Sequence, residues 1–311
     1  MATEYLEFKV GTAVGVFLLT LAFAVIPYYV KSFKSNKTLI GITNCLAGGI
    51  FLAAALLHLI PEAIEMYANA TAHNHDHPEK HDPSEPHDHD HSSFPVIPFT
   101  IFASFAVILM IDRLLLPGHH GASHSHEEKE HQHGDQYESL HHDHEEQENL
   151  AEGGSHANGH NHGSSAAPFI LLVAMGVHAT FEGLALGLRK EFKSFTGFLM
   201  AIVFHKWAEA LAMGVSLYKG NVPKNKALLY LGAFSLLTPV GIIGGMIFSD
   251  AEPKLKSILL AVSSGTFVYI AIAEIISEEF SGSHKLWHKY LAFWLGAGIM
   301  ISVMFSNKLF E

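Results

Sequence analysis

Cysteine is nearly missing: Cys45 is the only one in 311 residues. That excludes a disulfide framework and any Cys-rich zinc finger. Charge is scarce as well. Lys, Arg, Asp and Glu make up 16% of the chain, against about 25% in an ordinary soluble domain. Basic residues are the smaller share, 19 against 30 acidic, for a formal net charge of −11 with histidine neutral. Such a chain lacks the cationic surface that nucleic-acid binding by phosphate neutralisation needs, so no nucleic-acid partner is expected. A basic leader is also missing. The start MATEYLEFK is net acidic, and the apolar run behind it is longer than the core of a secretion signal, so it reads as a retained membrane helix.

What the chain has instead is apolar length. Hydrophobic residues are 49% of the sequence and mean hydropathy is +0.23. They fall in eight runs: Val10–Val30, Leu39–Ile64, Phe94–Leu116, Ala166–Leu188, Phe195–Leu217, Ala227–Phe248, Ile258–Ile276 and Tyr290–Phe305. A helix of about 20 residues rises about 30 Å, the thickness of the hydrocarbon core. The fold class expected is therefore an all-α polytopic membrane protein of eight transmembrane helices. Residues 1–311 form one membrane domain in contact with lipid, because most connections are short. Gly/Ala pairs in the second, fourth, fifth and sixth runs predict close helix crossings.

Two stretches fall outside this pattern. Residues 71–93 hold seven histidines and residues 117–165 hold twelve, interleaved with Asp, Glu, Gly and Ser. Neither has the apolar surface to offset the entropy of ordering, so both read as disordered His-rich loops suited to adaptable metal capture. Lys31, Lys34 and Lys37 in one connection, and Lys219, Lys224 and Lys226 in another, place those loops inside by the positive-inside rule. An even number of spans then leaves both termini outside, with 71–93 extracellular and 117–165 cytoplasmic. Arg189, Lys190 and Lys193 run against the rule. Asn69-Ala-Thr71 matches the glycosylation pattern on the outer side.

Polar groups inside the spans need a physical reason, since a charge in hydrocarbon is costly. The fourth run reads AMGVHATFEGLALG, with His178 and Glu182 at i and i+4. The fifth reads AIVFHKWAEALAMG, with His205 and Glu209 at the same spacing. Each pair lies on one helical face. Taken singly, each histidine reads equally well as an interhelical hydrogen-bonding residue. Two such faces turned together converge two imidazoles and two carboxylates, a donor set suited to zinc or another first-row divalent ion. Hydrolytic zinc chemistry does not fit: a zinc protease reads His-Glu-x-x-His, whereas the fifth run has the cation Lys206 where the general base belongs. The chain is not expected to be an enzyme. Lys206 either balances Glu209 or Glu182 from a neighbouring cation position, snorkels away, or simply pairs with a glutamate of another helix.

Further polar groups suggest a route. His58 and Glu62 lie in the second run and Glu274 in the seventh. Asn44 either caps a broken helix or touches an ion. Asp112 and Arg113 read as satisfying each other. Thr238-Pro239 marks a kink in the sixth run, and Trp207, Trp287 and Trp294 read as packing or interface anchors.

HATFEG in the fourth run, HKWAE in the fifth and the His-rich stretch before them together resemble the ZIP family of zinc- and iron-regulated-like metal transporters. The H-K-x-x-E form resembles the animal branch of plasma-membrane zinc importers. The resemblance implies Zn²⁺ as substrate, moved into the cytoplasm, with Cd²⁺, Fe²⁺ or Mn²⁺ as further ions. It implies a homodimer, outside termini and an elevator-type motion, with spans 1, 4, 5 and 6 moving against a scaffold that includes spans 3 and 8. The family's first metal position falls on His178, Glu182, His205 and Glu209. Its second falls on Ala179 and Lys206, with a contribution near Thr238, so a second bound metal is not expected here. His58 and Glu274 resemble pathway positions. Residue chemistry by itself leaves export, or metal sensing without flux, as alternatives. Protonated imidazole cannot ligate, so uptake is expected to slow below about pH 6.5, the free-imidazole value.

Overall fold

The computed structural model describes residues 2–72, 94–115, 167–248, 253–281 and 285–310. All regular structure among them is helical, and eight helices are long and apolar enough to cross a membrane. They are α1 (Tyr5–Tyr29), α2 (Thr38–Ala72), α3 (Val96–Leu114), α4 (Pro168–Gly187), α5 (Phe192–Lys219), α6 (Lys224–Ile247), α7 (Pro253–Phe280) and α8 (Leu286–Phe305). The His-rich stretches, 73–93 and 116–166, lie outside the described residues.

Several helices outrun their apolar cores. α2 continues past Ile64 to Ala72, taking in residues expected to open a loop. Thr71 is helical, its hydroxyl donating back to the carbonyls of Tyr67 at 3.1 Å and Ala68 at 2.9 Å. The glycosylation-pattern tripeptide is thus part of the helix rather than of a loop. α5 and α7 likewise take in Lys193, Lys219, Lys254, Glu278 and Glu279. Hydropathy falls where charge begins, but backbone hydrogen bonding carries a helix on into the polar interface.

The packing follows one scheme. α1 packs on α5 and α6, α4 on α6 and α7, α2 on α8, α7 and α5, and α3 on α7. Exchanging α1 with α6, α2 with α7, α3 with α8 and α4 with α5 maps these pairings onto themselves. Each of the four heavy contacts is made close by glycine. A Cβ on Gly183 would lie 2.3 Å from the Thr238 carbonyl, and one on Gly245 2.3 Å from that of Leu184, so α4 and α6 meet backbone to backbone. Gly214 approaches the Ala24 carbonyl, Gly265 that of Ile101, and Gly49 and Gly296 those of Phe293 and Leu46. Small residues let helices approach where burial from lipid gives no hydrophobic drive, and van der Waals contact must hold them. α6 runs helically through Pro239, which, with Thr238, is buried on the α4 side.

Three helices contain a π-helical turn: Ala54–Leu59 in α2, Ile111–Leu115 in α3 and Ile270–Ile276 in α7. A π turn inserts one residue and re-aims the side chains around it. His58, Asp112 and Glu274 each fall within one. The first and third occupy exchanged helices of the packing scheme.

The two ends of the bundle are distinct. One end gathers Tyr5 and Lys9 of α1, the end of α2, the α4–α5 connection and the end of α8. The other gathers Tyr28, Phe33, Tyr218, Lys219, Glu279 and Lys289. Trp287 and Trp294 are exposed on α8, and Trp207 packs partly buried against the core.

Candidate metal centre

His178 and Glu182 face α5 from one turn of α4, and His205 and Glu209 face α4 from one turn of α5. One donor atom from each of the four lies within 4.8 Å of every other. All four side chains are buried, at 0–1% exposure. Glu182 is central: its Oε1 lies against His205 Nε2 and 3.6 Å from His178 Nε2. The i, i+4 spacing gave each pair its common face, and the packing of α4 on α5 turned the faces together.

Lys206 is fully buried in the same cluster. Its ammonium donates to Glu182 Oε2 at 2.9 Å and to Glu209 Oε2 at 2.8 Å. The lysine does not snorkel away: it pairs with Glu182 of the other helix and with Glu209 of its own. Breaking a buried pair by removing one partner generally costs about 3–5 kcal/mol. Ala179, the neighbouring position named with it, is buried and apolar.

α7 supplies the support that sequence reasoning missed. His178 stacks on Phe267 with ring centroids 3.5 Å apart, and His205 meets the same ring edge-on at 5.3 Å. His178 Nδ1 faces the Ser263 carbonyl at 3.1 Å and its hydroxyl at 2.9 Å, with Thr266 Oγ1 at 3.4 Å. A carbonyl only accepts, so the proton is assigned to Nδ1 and the Nε2 lone pair is left toward Glu182. A backbone carbonyl orienting the far nitrogen of a ligating imidazole is a recurrent support in metal sites. The signal available was the SSGTF stretch, small and polar inside an apolar helix.

His178 Nε2, His205 Nδ1 and Glu209 Oε1 are buried without a hydrogen-bond partner. Native interiors leave few such atoms, so each asks for an explanation. All three belong to residues of the converging donor set, where a bound ion would supply a partner. Donors around a tetrahedral zinc stand about 3.3 Å apart, from bond lengths near 2.05 Å. The widest separations of the cluster, up to 4.8 Å, would have to close for all four donors to share one ion.

The other singled-out residues lie elsewhere. Asn44 neither caps a helix break nor reaches the cluster; its Nδ2 donates to Glu279 Oε1 at 2.9 Å. Glu279 also meets Lys219 at 3.1 Å and Lys289 at 3.0 Å, tying α2, α5, α7 and α8 together at one end. Glu274 accepts from Tyr269 at 2.9 Å. Asp112 pairs with Arg113 at 3.0 Å. His58 and Glu62 line a cavity of about 990 Å³ at the opposite end from Glu279, where Glu62 pairs with Arg189.

The ZIP Zinc transporter family model matches residues 6–304. Zinc transporter ZIP1 of Danio rerio is 29% identical over 312 residues, covering 96% of this chain and 98% of its own. Zinc transporter ZIP1 of Homo sapiens is 26% identical, with 96% and 91% covered. Zinc transporter ZIP2 of Mus musculus is 24% identical, with 87% and 89% covered.

Proposed function

The chain belongs to the ZIP zinc transporter family, and from that membership we propose that it carries Zn²⁺ across the membrane into the cytoplasm through His178, Glu182, His205 and Glu209. The observation that carries the reading is the convergence of these four buried donors from two adjacent helices within 4.8 Å. Two carboxylates neutralise the ion as it leaves water, and two imidazoles complete a shell that favours zinc. Cd²⁺, Fe²⁺ and Mn²⁺ suit the same donors less selectively.

With both termini outside, the end holding His58, Glu62 and Arg189 faces the exterior and the end holding Lys219 and Glu279 faces the cytoplasm. Seclusion of the site at 0–1% exposure supports alternating access: the ion is not in contact with both sides at once. α1, α4, α5 and α6 pack on one another and form the moving bundle of an elevator, against a scaffold that includes α3 and α8. His58 and Glu62 precede the site, and Glu274 and Asn44 follow it. Lys206, in the place of a second metal, limits the centre to one ion and lowers its hold. A transport site must bind well enough to strip water yet weakly enough to release. The protein works as a homodimer in the plasma membrane, and residues 117–165 receive or sense the released ion.

The test is zinc flux into metal-free proteoliposomes holding the full chain in a determined orientation. Influx from the face bearing the termini supports import. Flux only in the other sense supports export, and saturable binding without flux supports a sensor; either overturns the proposal.

A further inference from the structure

Unpartnered buried polar side-chain atoms among the described residues fall in two places only. Three belong to the metal centre; the others are His58 Nε2, Glu62 Oε2 and Arg189 Nε, together at the outer cavity. His58 and Glu62 repeat the His-x-x-x-Glu spacing of α4 and α5 on a third helix, with Nε2 and Oε2 3.6 Å apart. Here, however, the carboxylate already has a cation, because Glu62 Oε1 is paired with the Arg189 guanidinium.

Arg189 is held firmly from its own side. Its second terminal nitrogen donates to Ser194 Oγ at 2.9 Å, and its guanidinium carbon stands 4.1 Å over the Phe198 ring. Its carbonyl accepts from Lys9 Nζ at 2.7 Å and from Tyr5 at 2.9 Å, and Lys9 also caps the Gly187 carbonyl at 2.9 Å. Arg189 is thereby fixed to α1 and to the connection between α4 and α5, the two helices that carry the metal centre. Glu62 belongs to α2, which packs on α7 and α8. The pair bridges two groups of helices across the mouth of the cavity, with Arg189 at 12% and Glu62 at 22% exposure.

We propose that Arg189 is a positioning residue that latches the outer entrance, keeping Glu62 occupied and the two helix groups together until an incoming divalent cation displaces it. The inference rests on the transport reading. A divalent ion arriving at His58 Nε2 and Glu62 Oε2, neither of which has a hydrogen-bond partner, competes with the guanidinium for one carboxylate. A monovalent ion gains half the Coulomb energy there and displaces it less well. Ion capture is so coupled to separation of the α4–α5 connection from α2, which opens the way inward past Phe198 and Ala201. Ala201 lines the cavity one helical turn before His205 and is 1% exposed.

The experiment places one reactive thiol there, Ala201→Cys on a Cys45→Ser background, in full-length protein reconstituted in liposomes. The readout is the rate of modification by a membrane-impermeant, cationic thiol reagent, with and without zinc. In the otherwise unchanged chain, labelling is slow and zinc accelerates it. Arg189→Gln labels about fivefold faster without zinc, the scale of losing one such ion pair. Arg189→Lys, which keeps the charge, restores most of the protection. Glu62→Gln breaks the pair from the other side, labels fast and no longer responds to zinc, so the latch is testable even where one variant folds poorly. Equal labelling rates in the parent, Arg189→Gln and Glu62→Gln, with zinc flux intact in the parent, overturn the latch. Absence of zinc flux in the parent overturns the transport reading, whereas fast labelling of both broken-pair variants still supports the latch.

Discussion

The Lys206 ammonium of α5 stands 2.9 Å from the Glu182 carboxylate of α4, both side chains fully buried. With Glu209 it forms a triad of one cation and two anions, net −1 with both histidines neutral. A zinc ion added to that triad leaves net +1 in a medium where charge is expensive. The lysine would therefore oppose a zinc ion held at the cluster, and it keeps both carboxylates paired.

Replacing Lys206 by Gln should tighten zinc and slow its release. The apparent KM for uptake is expected to fall about tenfold, about 1.4 kcal/mol of relieved like-charge repulsion, with maximal rate falling too. The same variant loses thermal stability without zinc and regains it on zinc addition, because the ion replaces the missing partner. Uptake kinetics and melting curves with and without zinc check both.

His178→Ala and Glu209→Ala should each abolish measurable flux into metal-free proteoliposomes while leaving the protein folded. Removing residues 119–162 should leave part of the flux, because that stretch contributes no residue to the four-donor cluster. Loss of flux in the loop deletion equal to that in the point variants would contradict the division between site and loop.

Phe267 supports both imidazoles from α7, so Phe267→Leu should weaken zinc binding about tenfold while sparing most of the fold, a smaller change than truncation to Ala at about 3–5 kcal/mol. Ser263→Ala should do less, because the backbone carbonyl that orients His178 survives. Zinc titration of purified variants separates the two.

Gly245→Leu should prevent assembly of α4 on α6. Even a Cβ there falls 2.3 Å from the Leu184 carbonyl, and the obstacle is backbone, which cannot rotate aside. Aggregation on size-exclusion chromatography is the expected outcome. Gly197→Ala, with nothing within 4 Å of the added atom, is the matched control and should behave as the parent.

The sequence determined the eight spans and the two His-x-x-x-Glu pairs of α4 and α5. Both are local: a run of apolar residues needs only the bilayer to become a helix, and an i, i+4 spacing needs only the helix to share a face. HKWAE also showed that a cation stands within the site. Helix ends were less legible, because polar turns of α2, α5 and α7 extend beyond the hydropathy signal. The tertiary structure alone decided what meets what. That Lys206 bridges Glu182 and Glu209, that Ser263 and Phe267 stand under His178, that Asn44 serves Glu279, and that Arg189 closes on Glu62 are contacts between distant helices. They depend on crossing geometry set by glycines and on π turns that re-aim His58 and Glu274, and neither leaves a periodic trace in the chain.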